Sequence, residues 1–176
     1  AELCGKTMGI VGFGGIGQRV GELAHAFGMQ VLAYNPRPKA APGYQPFAFA
    51  DLPELFRAAD VVSLHCPLTP ENTGLVGGSL LASMKPTAFL VNTARGPLVD
   101  EAALISSLRY GMLGGAALDV VCVEPMRDDD PLLTAPNCLI TPHVAWASVE
   151  SRRTLMAESA ENLRAFLSGK PRNVVN

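Results

Sequence analysis

Charge is scarce in this sequence: Asp, Glu, Lys and Arg make up 17% of the 176 residues and leave a net charge of −2. Such a chain has no basic surface for nucleic acid or an anionic membrane, and neither is expected as a partner. No apolar run reaches the roughly 18 residues that a membrane-spanning helix requires. The first residues lack the basic, apolar and small-residue succession of a secretory signal, which points to the cytoplasm. Cys4, Cys66, Cys122 and Cys138 form no C-x-x-C pair and no zinc-ligand spacing, so no metal site is expected. They read as reduced, mostly buried thiols. Aromatic residues are also few, at 6%, although hydrophobic residues together reach 48%. A chain rich in Val, Leu, Ala and Gly suits a sheet buried on both faces under helices.

What is present is a glycine loop. Gly12-Phe13-Gly14-Gly15-Ile16-Gly17 follows the apolar run 8–11 and opens a helix-like stretch, which is G-x-G-x-x-G between strand and helix. Gly12 permits a tight turn, and Gly14 lets the main chain approach a pyrophosphate without a Cβ in the way. Gly17 lets the helix close on the strand, and the first N–H groups of that helix then face the anion. The motif predicts a dinucleotide site.

Apolar runs alternate with amphipathic segments along the rest of the chain. Strands are expected at 8–11, 31–34, 61–64, 88–92, 114–120 and 139–141. Helices are expected at 16–27, with Val20, Leu23, Ala24 and Phe27 on one face, and from an Asp51 N-cap through Ala58. Three more run from Ser79 as a cap to Met84, from Asp100 to about Tyr110, and over 149–167. Pro36, Pro38, Pro42 and Pro46 make 36–46 a loop, and Asp128-Asp129-Asp130 reads as a solvated acidic loop. Strands separated by helices imply parallel pairing with right-handed crossovers. The expectation is an α/β fold, a Rossmann-type doubly wound parallel sheet, as a single three-layer domain over residues 1–176.

The second strand should end beside the adenosine ribose, where an acidic side chain suits the two hydroxyls of NAD. Asn35 stands there, 18 positions after Gly17, and Arg37 follows it. Asparagine does not repel a 2′-phosphate, and a guanidinium pairs with phosphate through two bonds, so the cofactor choice tilts toward NADP(H). The competing reading keeps NAD, with Asn35 on the ribose and Arg37 solvating the proline-rich loop.

Reducing a carbonyl at a nicotinamide needs a cation for the substrate, an acid that delivers a proton, and a group that tunes that acid. Arg95, in Val91-Asn92-Thr93-Ala94-Arg95-Gly96, has the fork geometry for a carboxylate. His143, in Thr141-Pro142-His143, titrates near neutrality and can give or take a proton. Glu124, in Val123-Glu124-Pro125, is the carboxylate to orient that ring and stabilise its charged form. Each follows a predicted strand. Spacing alone leaves open whether the three meet, since a loop arginine, a lone histidine and a Glu-Pro turn all have structural readings. Cys66 lies near a strand end where a cofactor would pass, and also reads as a plain buried thiol.

Taken in order, these segments resemble the nucleotide-binding domain of the D-isomer-specific 2-hydroxyacid dehydrogenases. The matching stretches are 9–17, His65-Cys66-Pro67-Leu68-Thr69, 91–96, Asp119 with Glu124-Pro125, and Thr141-Pro142-His143, and they run nearly end to end. The resemblance implies that Arg95 binds and polarises a 2-oxo or 2-hydroxy acid, while Glu124 and His143 form the proton relay. Asp119 would accept from the nicotinamide carboxamide, and Gly15 and Ile16 would offer N–H groups to the pyrophosphate. Cys66, Pro67 and Thr93 fall within matching stretches and join the cofactor site.

Within the family, His143-Val144-Ala145-Trp146-Ala147 is most similar to glycerate dehydrogenases and hydroxypyruvate or glyoxylate reductases. Tyr34-Asn35-Pro36-Arg37 is similar to the NADPH-preferring reductases of that group. Trp146 reads as lining a substrate pocket, as a subunit contact, or as ordinary packing. Glu124 argues against the related formate dehydrogenases, which need no proton relay. Members place a substrate-binding lobe of about a hundred residues, a small domain's worth, before this domain. The expectation is therefore the cofactor domain of a larger enzyme, homodimeric at full length, which binds NAD(P) by itself and turns over poorly. The rival reading is an NAD(H)-sensing binding module, like the transcriptional corepressors that share this fold and triad.

Overall fold

Seven strands pair in parallel in the order β3-β2-β1-β4-β5-β6-β7. They are β1 (Thr7–Val11), β2 (Gln30–Tyr34), β3 (Phe47–Phe49), β4 (Val61–Leu64), β5 (Phe89–Asn92), β6 (Gly115–Leu118) and β7 (Cys138–Ile140). The structure is a computed structural model that describes residues 2–175. It divides into two compact units, Ala1–Pro142, which holds the sheet, and His143–Asn176. The chain steps outward in one direction from β1 and in the other from β4, so these adjacent strands mark the point where a doubly wound sheet opens a crevice at its C-terminal edge.

Alternation along β1 sorts the two faces. Ile10 packs with Phe13, Ala24, Met29 and Val31 on the side of α1 (Gly15–Ala26). Val11 packs on the other side with the larger cluster, which takes in Leu55 and Phe56 of α2 (Leu52–Ala58), Leu81 of α3 (Gly78–Ser83) and Leu104 of α4 (Glu101–Arg109). Asp51 and Asp100 cap α2 and α4 by accepting the N–H groups of Glu54 and Ala103. On the α1 face the far strands are less covered, and Phe89 and Leu139 are exposed there. At the N-terminal edge, Asp60 accepts from the Thr7 N–H at 2.9 Å and from Lys85 Nζ at 3.0 Å.

Several expectations needed correction. The buried face of α1 is Gly17, Gly21 and Ala24, whereas Leu23 and Phe27 are exposed. The helix lies too close to the sheet for large side chains, and the Tyr44 hydroxyl fills the space beside Gly21. Strand β3 follows the proline loop and went unread. Helix α3 is capped at Gly77 rather than Ser79, because the pairing of Val76 with Leu98 and Val99 fixes where it starts. The acidic loop is solvated as expected at the exposed Asp128 and Asp129, with Asp129 paired to Arg127, while Asp130 also caps the 3-10 turn Pro131–Thr134. All four cysteines are free, but Cys4 and Cys122 are exposed and Cys66 and Cys138 only half-buried, since they lie in loops, at a strand end or on the edge strand.

In the second unit, Ser148 caps α5 (Val149–Leu167) through the Ser151 N–H. The following segment turns back along the helix through Arg172 to Glu158 and Asn173 to Asn162. None of the described helices is long and apolar enough to cross a membrane.

Candidate functional site

The glycine loop sits where β1 and β4 end side by side. Gly12 has φ +98°, and a Cβ there would lie 2.6 Å from the Cys66 nitrogen and 2.7 Å from the His65 carbonyl carbon. Backbone meets backbone, and only glycine fits. A Cβ on Gly17 would overlap the Gly12 carbonyl oxygen, so this glycine sets how near α1 stands to the loop. Gly14 and Gly15 instead face open space. The first intrahelical bond of α1 runs from the Gln18 N–H to the Gly14 carbonyl, at 2.9 Å. The N–H groups of Gly15, Ile16 and Gly17 precede it, with no side-chain cap among the described residues. An uncapped helix start beside a cradle that a Cβ would fill suits the pyrophosphate of a dinucleotide.

Asn35 follows β2 and leans onto this loop. Its Oδ1 accepts from the Phe13 N–H at 3.1 Å, and its Nδ2 donates to the Arg37 carbonyl at 2.7 Å. The Arg37 guanidinium is exposed and makes no hydrogen bond or ion pair among the described residues. After β4, burial pushes the half-buried Cys66 thiol up, so it stays neutral. Burial likewise pulls His65 down, with the ring held 2.8 Å from Ser63 Oγ. Pro67 accepts from Asn72 through its carbonyl, which shapes the turn that follows.

The loop after β5 is organised by Asn92. Asn92 is 1% exposed. Its Oδ1 accepts from the Ala94 N–H at 3.0 Å and its Nδ2 donates to the Arg95 carbonyl at 2.9 Å. Thr93 and Arg95 remain exposed, and Arg95 Nη1 donates to the Ala94 carbonyl. A Cβ on Gly96 would overlap the Val121 carbonyl and lie 2.5 Å from the Cys122 nitrogen. The Arg95 loop therefore rests directly on the loop that carries Glu124. That second loop is shaped by the Val121 N–H donating to Glu124 Oε1 at 3.2 Å and the Cys122 N–H donating to Glu101 Oε1 at 2.6 Å. At the end of β6, Asp119 is buried, its N–H donates to the Asn92 carbonyl, and its Oδ1 accepts from Thr141 Oγ1 at 2.6 Å.

His143 opens the second unit. Its φ of +53° is the left-handed region, uncommon without glycine. Its carbonyl accepts from Trp146 Nε1 at 3.0 Å, and the tryptophan is exposed rather than packed in a core. Of the anticipated site residues, all but His143 lie in the first unit, on the glycine loop and the segments that follow β2, β4, β5 and β6. Asn92, Gly96, Glu101 and Thr141 were missed. A polar Asn closing an apolar strand just before a loop was the one available signal.

Residues 1–145 match the family model of the D-isomer specific 2-hydroxyacid dehydrogenase, NAD binding domain. The chain is 47% identical over 175 residues to a hydroxypyruvate reductase of Blautia hydrogenotrophica, covering 99% of this chain and 54% of that protein. It is 44% identical over 176 residues to a glycerate dehydrogenase of Methylorubrum extorquens, again covering 99% and 54%. Among solved structures, an acyclic imino acid reductase in complex with NADPH and D-Arg superposes with a TM-score of 0.88 at 38% identity, over 100% of this chain and 55% of that one. The chain thus spans about half the length of the curated relatives it matches. With the doubly wound sheet, the glycine cradle and a family match over most of its length, the chain belongs to the D-isomer-specific 2-hydroxyacid dehydrogenases, as their NAD-binding domain.

Proposed function

We propose that this domain serves an oxidoreductase that reduces a short 2-oxo acid, hydroxypyruvate or glyoxylate, with NADPH preferred over NADH. The observation that carries the reading is the seat of Gly96 on Val121 and Cys122, which sets the Arg95 and Glu124 loops against each other. Similarity to a hydroxypyruvate reductase and a glycerate dehydrogenase supports the substrate class. The neutral Asn35, and an Arg37 guanidinium with no partner among the described residues, support the 2′-phosphate.

A dinucleotide held in the glycine cradle would supply the hydride. Gly15 and Ile16 donate N–H groups to its pyrophosphate, while Gly12, Gly14 and Gly17 let the backbone come close enough to do so. Cys66, Pro67 and Thr93 line the cofactor's path along the strand ends. Asp119, steadied by Thr141, would accept from the nicotinamide carboxamide. Arg95 pairs with the substrate carboxylate and polarises the carbonyl. His143 delivers the proton to the carbonyl oxygen, with Glu124 as the carboxylate of the relay.

The test is His143→Gln in the full-length protein. The kcat for hydroxypyruvate reduction is expected to fall by about a hundredfold or more, with nucleotide affinity unchanged. A kcat near wild type would remove His143 from the proton transfer.

A further inference from the structure

Asn35 meets two partners of opposite demand. The Phe13 N–H in the glycine loop needs an acceptor and has Oδ1 at 3.1 Å, while the Arg37 carbonyl needs a donor and has Nδ2 at 2.7 Å. Only a side chain that accepts at one end and donates at the other serves both, which is the property of an amide. Aspartate would keep the bond to Phe13 but set a carboxylate oxygen against the Arg37 carbonyl. Alanine would lose both bonds. Pro36 and Pro38 flank Arg37 and have no N–H with which to hold this stretch. The Arg37 guanidinium makes no hydrogen bond or ion pair among the described residues, so the bond to its own carbonyl is what places it.

We propose that Asn35 is a positioning residue that couples the glycine loop to Arg37, and that it sets the choice between NADPH and NADH through Arg37 rather than by touching the ribose. The discrimination rests on the NADPH reading given above; the coupling does not.

Hydrogen exchange and nucleotide titration of the chain and its variants separate the two. In ligand-free protein, Asn35→Ala and Asn35→Asp are expected to speed amide exchange over residues 36–46. Arg37→Ala, which keeps the carbonyl, is expected to leave it unchanged. Unaltered exchange in both Asn35 variants overturns the coupling, whichever nucleotide the chain prefers. In titrations with NADPH and NADH, Asn35→Ala should lower the preference for NADPH by about fivefold, the worth of one hydrogen bond. The same change in an Arg37→Ala background should leave that preference unmoved. An equal fall in both backgrounds places Asn35 on the nucleotide itself and overturns the proposal. Equal binding of both nucleotides by wild type, insensitive to Arg37→Ala, overturns the NADPH reading and the discrimination with it, while faster exchange in the same variants still establishes the coupling.

Discussion

Gly14 and Gly17 stand three residues apart, yet a methyl group would act oppositely on them. At Gly17 it would overlap the Gly12 carbonyl oxygen, so α1 must move off the loop. At Gly14 it would meet nothing of the chain and would project into the open cradle. Gly17→Ala is therefore expected to lower stability by about 1–3 kcal/mol in urea denaturation, as overpacking does. Gly14→Ala should stay within about 1 kcal/mol of wild type while weakening NADPH binding at least about tenfold. Two variants equally stable and equally impaired in binding would contradict this division of labour. The different tasks of these glycines were legible in the sequence, because the motif fixes each position relative to one strand and one helix. The tasks of Asn35, Asn92 and Thr141 were not. Each depends on a hydrogen bond to a neighbouring loop or strand end whose approach is decided by the tertiary fold.

Elements were readable where an apolar run carried them. β1, β4 and β5, the Asp51 cap and the start of a helix at Asp100 fell where expected, because a strand buried on both faces and an Asp at a helix start both leave a local mark. β3 left none: it has three residues and pairs only with β2, at the sheet's edge. The inward face of α1 was misread because hydrophobic periodicity gives no weight to glycine. How the elements are fastened together was equally silent, and Asp60 shows it best. One carboxylate binds the start of β1 through Thr7 and the turn before β5 through Lys85. Burial by itself would push the Asp60 carboxyl up, but the Thr7 N–H and Lys85 outweigh it and hold it below the usual range. In the unfolded chain this group titrates near about 3.9. Its contribution to stability is therefore complete above that pH and is lost as pH falls through the lower folded value. Asp60→Asn is expected to cost about 1–2 kcal/mol near neutrality, with Lys85, the more exposed of the two partners, the lesser part. Denaturation across a pH series should show the gap from wild type closing below about pH 4. A gap that stays constant to about pH 3 would mean that shape, not charge, holds this clamp.

For the molecule as a whole, the question is how much of the chemistry these residues carry by themselves. The Arg95 and Glu124 loops are held by bonds internal to the first unit: Asn92 to Arg95, Gly96 against Val121, and Glu101 to Cys122. Among the described residues the cradle likewise rests on β1, α1 and the ends of β2 and β4. A nucleotide site built this way forms with the fold. NADPH at about a hundredfold over its Kd is then expected to add about 2.7 kcal/mol of stability, or roughly 5–10 °C in Tm. Turnover is another matter. Substrates of open α/β sheets sit beyond the strand ends, where a second wall must exclude water and fix the reacting carbonyl. The curated relatives are nearly twice as long as this chain, with length to spare for such a wall. On the proposed function, the chain mixed with NADPH and hydroxypyruvate should therefore show the stabilisation with almost no loss of nicotinamide absorbance, while a protein of the relatives' full length should oxidise the cofactor under the same conditions. Matching rates from the two would place the substrate site, and not only the cofactor site, within these 176 residues.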